Sequence, residues 1–196
     1  ADGGTVDGVS VLGVRYPTDN GFVSGINSGR AIYAASTARD GNGDPVDTFT
    51  LTNSIIRNFQ KAGVVLDGVD VEVGNNTIDG SGLQPYLAQN GIDAFDISGI
   101  LSSNTISDLG FTALNAGSQG TAAGAINLLF GGSDIQVSGN TISGATGSTG
   151  LSGETQPNGG FVGVTASGTP TENIDGVQVI SNDITGTSSP LSFGVD

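Results

Sequence analysis

One short unit recurs along this chain and constrains its fold more than any other feature. It is an alternating strand, then Asn-x-Ile, then a small or polar turn. It reads Phe49-Thr-Leu-Thr-Asn53-Ser-Ile55, Val71-Glu-Val-Gly-Asn-Asn76-Thr-Ile78 and Ile100-Leu-Ser-Ser-Asn104-Thr-Ile106. It returns as Ile135-Gln-Val-Ser-Gly-Asn140-Thr-Ile142 and Val177-Gln-Val-Ile-Ser-Asn182-Asp-Ile184. The Asn-to-Asn spacings are 23, 28, 36 and 42 residues. A repeat of 20–50 residues is the mark of a stacked architecture, in which each unit buries its apolar face only against its neighbours. The shortest spacing fits one coil, and the longer ones fit coils with added loops.

A further strand follows each Asn-x-Ile at a variable distance: Gly63–Asp67, Gly91–Phe95, Ala125–Leu129, Phe161–Thr165 and Leu191–Val195. Each coil therefore carries three short strands: one before the Asn, one at x-Ile and one after. Equivalent strands of successive coils are expected to stack about 4.8 Å apart. In this reading Ile55, Ile78, Ile106, Ile142 and Ile184 point inward as a ladder. Asn53, Asn76, Asn104, Asn140 and Asn182 sit at a sharp bend, tolerate left-handed backbone and bond to adjacent coils. Residues 1–48 fit more loosely, as a first coil (Val9–Val14, Gly21–Ile26, Ala31–Ala35) followed by an acidic loop, and residues 49–196 hold the regular coils.

Asn76-Thr-Ile-Asp-Gly, Asn104-Thr-Ile-Ser-Asp, Asn140-Thr-Ile-Ser-Gly and Asn182-Asp-Ile-Thr-Gly resemble the N-x-I repeats of right-handed parallel β-helix proteins. These form the pectin-lyase-like superfamily, with pectate lyases, polysaccharide epimerases and NosD-like repeat proteins. The resemblance covers Phe49 to Asp196 and implies one all-β domain, a three-sided parallel β-helix of about six coils with long loops on one side. It implies little about chemistry, because the superfamily holds lyases, hydrolases, tailspikes, adhesins and noncatalytic scaffolds.

Composition narrows the functions. The chain has no Cys and no His, which excludes disulfides, thiolate or imidazole metal sites, and a Ser-His-Asp triad. Its formal charge of -14 opposes binding to a nucleic-acid backbone. No apolar run reaches the length of a membrane-spanning helix. The 34 Gly are compatible with disorder, but the short β-branched runs argue for packed strands. The acidity, the missing Cys and an Ala1-Asp2-Gly3 start like a cleaved leader site point to an exported bacterial protein, secreted, surface-bound or periplasmic.

Three features bear on function. Asp40, Asn42, Asp44 and Asp47 place oxygen ligands around glycines, as a loop does when it wraps Ca²⁺. The same string also reads as an ordinary Asp/Asn/Gly turn, since Leu51 stands where an EF-hand loop needs its bidentate carboxylate. On the outward face of the third strands lie Asp93 and Asn127, with Asp67 in the next column and Asp96 close by. If the chain acts on carbohydrate, Asp67, Asp93 and Asp96, with Arg57 as the basic group, are the candidate catalytic set. Otherwise these are solvated acids. The loops Ser81–Asn90, Ala113–Gly124 and Gly144–Gly160 emerge at one corner and are rich in small residues, which suits covering more than gripping.

The strand pattern runs to Leu191–Val195 with no helix signal at either end of the sequence. Bare strand edges seek partners. The expectation is a noncatalytic exported structural or surface protein, a filament, matrix or adhesin segment, which associates with copies of itself and which Ca²⁺ could stiffen. The alternative is a carbohydrate-active enzyme or a sugar-binding module with polysaccharide as its partner.

Overall fold

The computed structural model describes residues 3–16, 21–112, 122–145, 161–169, 173–186 and the backbone of 189–195. These residues are all-β, with no helix among them. Every pairing between the strands is parallel, and the strands form one sheet of ten and one of six.

The chain runs six times through the same three ladders. The first pass is β1 (Gly3–Asp7), β2 (Ser10–Leu12) and β3 (Arg30–Ala35). The second is β4 (Thr48–Thr52), β5 (Ile55–Arg57) and β6 (Ala62–Asp67). β7 (Asp70–Gly74) and β8 (Thr77–Gln84) lead to β9 (Asn90–Ser102), and β10 (Thr105–Phe111) leads to β11 (Ala123–Ser138). The last strands are β12 (Thr141–Gly144), β13 (Phe161–Gly168), β14 (Gln178–Ile180), β15 (Asp183–Thr185) and β16 (Ser189–Val195). β9 and β11 are longer than the sequence suggests because each crosses a corner without a break. Residues 90–95 of β9 pair with β6, and residues 98–102 pair with β7.

The core is a set of columns, one residue from each pass. In the first ladder Val6, Leu51, Val73, Leu101, Val137 and Val179 lie in register. In the second the column is Val11, Ile56, Ile78, Ile106, Ile142 and Ile184. In the third it includes Ile32, Val64, Ile92, Ile126 and Val164. Leu51 to Val137, Ile56 to Ile142 and Val64 to Val164 are buried; Val6, Ile32, Val179 and Ile184 at the outer passes are only partly so. β-branched side chains suit this stacking because each covers its counterparts on the pleated surface above and below.

The second pass departs from the expected register by one residue. Ile56, not Ile55, stands in the core column, and Ile55 is 38% exposed. The side chain aligned with Asn76 is Ser54, which is buried, while Asn53 is exposed. Two adjacent isoleucines made Asn53-Ser-Ile55 look like a full copy of the motif; the copy that folds is Ser54-Ile55-Ile56.

The bend before the second ladder also divides its work differently from the sequence reading. The left-handed residue is the one before the ladder asparagine. The column runs Gly8, Asn53, Asn75, Ser103, Gly139 and Ser181, with φ of 64°, 53°, 58°, 57°, 62° and 56°. The following side chain then turns inward. Asn76, Asn104, Asn140 and Asn182 form a line in which each backbone N–H donates to the side-chain oxygen of the next: Asn76 to Asn104 at 3.1 Å, Asn104 to Asn140 at 2.9 Å, and Asn140 to Asn182 at 2.9 Å. Ser54 starts the line by donating its N–H to Asn76 Oδ1 at 3.0 Å.

A second corner is held by glutamines. Buried Gln60 donates through Nε2 to Ser24 O and Ile26 O and accepts Tyr16 N–H through Oε1. Gln84 Oε1 accepts Val23 N–H, and Gln89 Nε2 donates to Phe59 O. The Gln60 and Gln84 bonds tie Tyr16, Val23, Ser24 and Ile26 to the body, where Phe22 packs edge-on against Tyr86 with ring centres 6.4 Å apart. Of the three corner loops, most of Ala113–Gly124 and of Gly144–Gly160 lies outside the described residues.

Candidate functional site

The corner between the third and first ladders carries a groove that gathers four of the eight candidate site residues, Asn42, Asp44, Asp67 and Asp96. The turn column there is Gly68, Asp96 and Phe130, aligned through the register of Asp67 with Phe95 and Phe95 with Leu129. All three have positive φ, 66°, 49° and 56°. A bulky phenylalanine in left-handed backbone is strained by roughly 1–2 kcal/mol relative to glycine. The same backbone throws the Phe130 ring outward, and it is 47% exposed. It stacks on Phe95, with ring centres 6.0 Å apart and planes 15° from parallel.

The groove above this aromatic pair has a volume of ≈740 Å³. On one side stand Asn42 and Asp44, from the loop after β3. Asp67, at the end of β6, and Asp96, on β9, line it at the corner, and Asn173 and Asp175 complete the polar lining. Ser133 donates its hydroxyl to Asp44 Oδ1 at 2.7 Å, which links the loop to the β11 corner across 89 residues of sequence. Asp67 and Asp175 are exposed.

Arg39 anchors the same loop. Its Nη1 donates to the carbonyl oxygens of Ser36, Ala38 and Gly68, the last at 3.0 Å, and its Nη2 makes a 2.6 Å ion pair with Asp96. One guanidinium thus satisfies three carbonyls and one carboxylate, which a lysine could not do in this planar arrangement.

The Asp40–Asp47 string does not close round one point. Asp40 Oδ1 accepts the N–H groups of Asn42 and Asp44 at 2.7 and 3.0 Å, an Asx turn that holds its carboxyl below the usual range. Asp44 faces Ser133, and Asp47 Oδ2 accepts the Ser36 hydroxyl at 2.7 Å. No group of three or more acidic side chains suited to a metal ion comes together among the described residues.

The carbohydrate set is also dispersed. Asp67 and Asp96 share the groove. Asp93 does not: it is 6% exposed and accepts hydrogen bonds from Asn90 Nδ2 at 2.9 and 3.1 Å and from Asn127 Nδ2 at 2.8 Å. It is neither the open site nor the solvated acid that the sequence suggests. Near it lies Lys61, whose Nζ donates to Ala88 O at 2.8 Å; burial lowers its pKa and the Asp93 charge partly restores it. Arg57 is on β5, in the other sheet, 3.5 Å from Asp79.

Sequence reasoning missed Phe130, Ser133, Asn173 and Asp175. The signal that could have found them is Phe130-Gly131-Gly132, a large residue before two glycines where the neighbouring pass turns at Asp96. The comparisons with known proteins leave the site to be read on its geometry: no family model matches the chain, and no curated protein or solved structure matches it significantly. Among the described residues no helix is long and apolar enough to cross a membrane.

Proposed function

We propose that the chain is a right-handed, three-sided parallel β-helix of six coils, and that it serves as a noncatalytic exported structural or surface protein that stacks on copies of itself. Right-handedness follows from the strong preference of parallel crossovers for that hand. The observation that supports the self-association is the in-register parallel stacking of every ladder, a pairing that a strand from another copy can continue. β1, β2 and β3 each pair with a described strand on one side only, as do β14, β15 and β16.

Burial falls toward these edges. β10, in the middle of its ladder, buries four of seven residues, whereas β2 and β15 bury none fully. Leu12 and Tyr33 are 62% and 56% exposed. Parallel strands with an unpaired edge present N–H and C=O groups at the repeat that an incoming strand needs. Contact between one end and the other is heterologous, so it propagates. The charge of -14 opposes the approach of two copies, so association should strengthen as salt screens it.

The test is light scattering across a concentration and salt series, with electron microscopy of the largest species. The expected result is growth with both variables, reduced by Leu12→Lys at the β2 edge. A strictly monomeric species at high concentration and moderate salt would overturn the reading.

A further inference from the structure

The aromatic corner groove has a lining that suits one class of ligand. Its floor is the Phe95–Phe130 pair, with one ring half open to solvent. Amides and carboxylates line it as well: Asn42, Asp44, Asp67, Asp96, Asn173 and Asp175. Of its four carboxylates only Asp96 is paired with a cation, Arg39, among the described ion pairs. The potential in the groove is therefore negative, and the chain's overall charge adds to it.

The spacing of these acids separates ligand classes. A small, strongly hydrated ion such as Ca²⁺ needs six to eight oxygens converging at 2.3–2.6 Å. Among the described residues no three acids converge, and Asp44 is engaged by Ser133. An anionic ligand is excluded by the charge. A weakly hydrated cation with a C–H-rich surface fits both halves of the lining. Its carbon face lies on an aromatic ring, whose quadrupole attracts the positive charge, while dispersed carboxylates neutralise it without direct coordination.

We propose that this groove binds a small alkylammonium ion, seated on the exposed face of Phe130 and held by the charges of Asp67 and Asp175. The left-handed backbone at Phe130 gives the site its geometry. Glycine occupies the aligned position on the preceding pass but one, at Gly68, so the backbone alone does not require a phenylalanine there. The ring is carried at a position where it costs stability and projects into a groove.

Choline and its uncharged isostere 3,3-dimethylbutan-1-ol are the decisive probes, measured by calorimetry on the full chain. Choline is expected to bind and to weaken as salt rises; the isostere, with the same shape and no charge, should bind at least about ten-fold more weakly. Phe130→Gly keeps the backbone conformation, so its melting temperature should be equal or higher while choline binding falls roughly ten-fold. Asp67→Asn with Asp175→Asn should weaken choline and leave the isostere unchanged. Equal binding of choline and the isostere, unchanged binding in Phe130→Gly, or no binding of choline at millimolar concentration would each overturn the proposal. Displacement of choline by equimolar Ca²⁺ would overturn it too, by showing that the acids prefer a coordinated metal. None of these outcomes depends on whether the chain self-associates.

Discussion

The side-chain Nδ2 of Asn104 donates to Asn140 Oδ1 at 3.0 Å, on the next pass of the chain, and to Val73 O at 3.0 Å, on the pass before. Asn104 also accepts, through Oδ1, both the N–H and the Nδ2–H of Asn76 at 3.1 and 2.9 Å. The residue is 1% exposed, so water cannot replace what a substitution removes. Asn104→Ala removes the acceptor shared by the N–H and one Nδ2–H of Asn76, and takes a donor away from Val73 O. Each hydrogen-bonding group left unsatisfied costs about 1–3 kcal/mol when buried. The expected loss is at least ~3 kcal/mol in urea denaturation, and a loss under ~1 kcal/mol would show that the ladder is dispensable.

Asn53 provides the internal control. It is exposed, and its role is the left-handed bend, with φ of 53°. Asn53→Gly should leave stability within about 0.5 kcal/mol, since glycine adopts this conformation freely. Its side chain does bond to Asp7 Oδ1 at 2.7 Å, beside Thr52 Oγ1 at 2.7 Å, and these bonds lower the Asp7 pKa, Asn53 contributing most. The folded pKa of Asp7 thus lies below the unfolded one. Its contribution is present above the unfolded value of 3.8 and is lost as pH falls through the folded value. Asn53→Gly should therefore narrow the stability gap between pH 7 and pH 3; an unchanged gap would remove Asp7 from the account.

Ile55 and Ile56 differ by one position and by nearly everything else. Ile56 is fully buried in the column between Val11 and Ile78, and Ile55 is 38% exposed. Ile56→Ala removes packing from the two neighbouring strands and should cost about 2–5 kcal/mol. Ile55→Ala should cost under ~1 kcal/mol. The pair is read from chemical denaturation midpoints, and equal losses would refute the register.

The same pair marks the limit of what the sequence discloses. The column Ile78, Ile106 and Ile142 is legible because each is a single isoleucine two residues after an Asn, and the period-two alternation before it leaves one choice of face. At residues 53–56 the Asn-Ser-Ile-Ile string allows two registers, and only stacking on both neighbours selects one. The aromatic groove was largely illegible for another reason. Its residues come from five separate segments, at 42–44, 67, 95–96, 130–133 and 173–175, brought together by a corner whose turn residues differ from pass to pass. No local spacing encodes such a meeting. Asp93 shows the converse: alternation placed it outward correctly, but could not reveal that Asn90 and Asn127 would enclose it.

Asp108 predicts a pH effect of opposite sign to Asp7. Desolvation raises its pKa above 3.8, and the nearby Asp79 charge raises it further. The folded state therefore holds the proton more tightly than the unfolded chain. That stability is complete below pH 3.8 and is lost as pH rises through the folded pKa. Asp108→Asn should raise the melting temperature at pH 7 and leave it nearly unchanged at pH 3. An equal rise at both values would assign the effect to packing instead of charge.

Arg39 supports the groove without lining it. Its guanidinium holds Ser36 O, Ala38 O and Gly68 O, and pairs with Asp96 on a surface where the two side chains are 27% and 38% exposed. The ion pair itself is worth little at such exposure, about 0–1 kcal/mol. The three carbonyl bonds matter more, because they fix the loop that carries Asn42 and Asp44 onto the corner. Arg39→Lys keeps the charge but cannot reach three carbonyls and a carboxylate at once. It should lower global stability by about 1–2 kcal/mol and loosen the loop selectively. Hydrogen exchange separates these effects. The N–H of Asp44, which bonds to Asp40 Oδ1, and that of Gly68, which bonds to Phe95 O at 2.9 Å, should exchange faster, while Ile78 and Ile106 in the core column should change only by the global amount. Uniform acceleration across all four would mean that Arg39 acts on the whole of both sheets instead of on the corner.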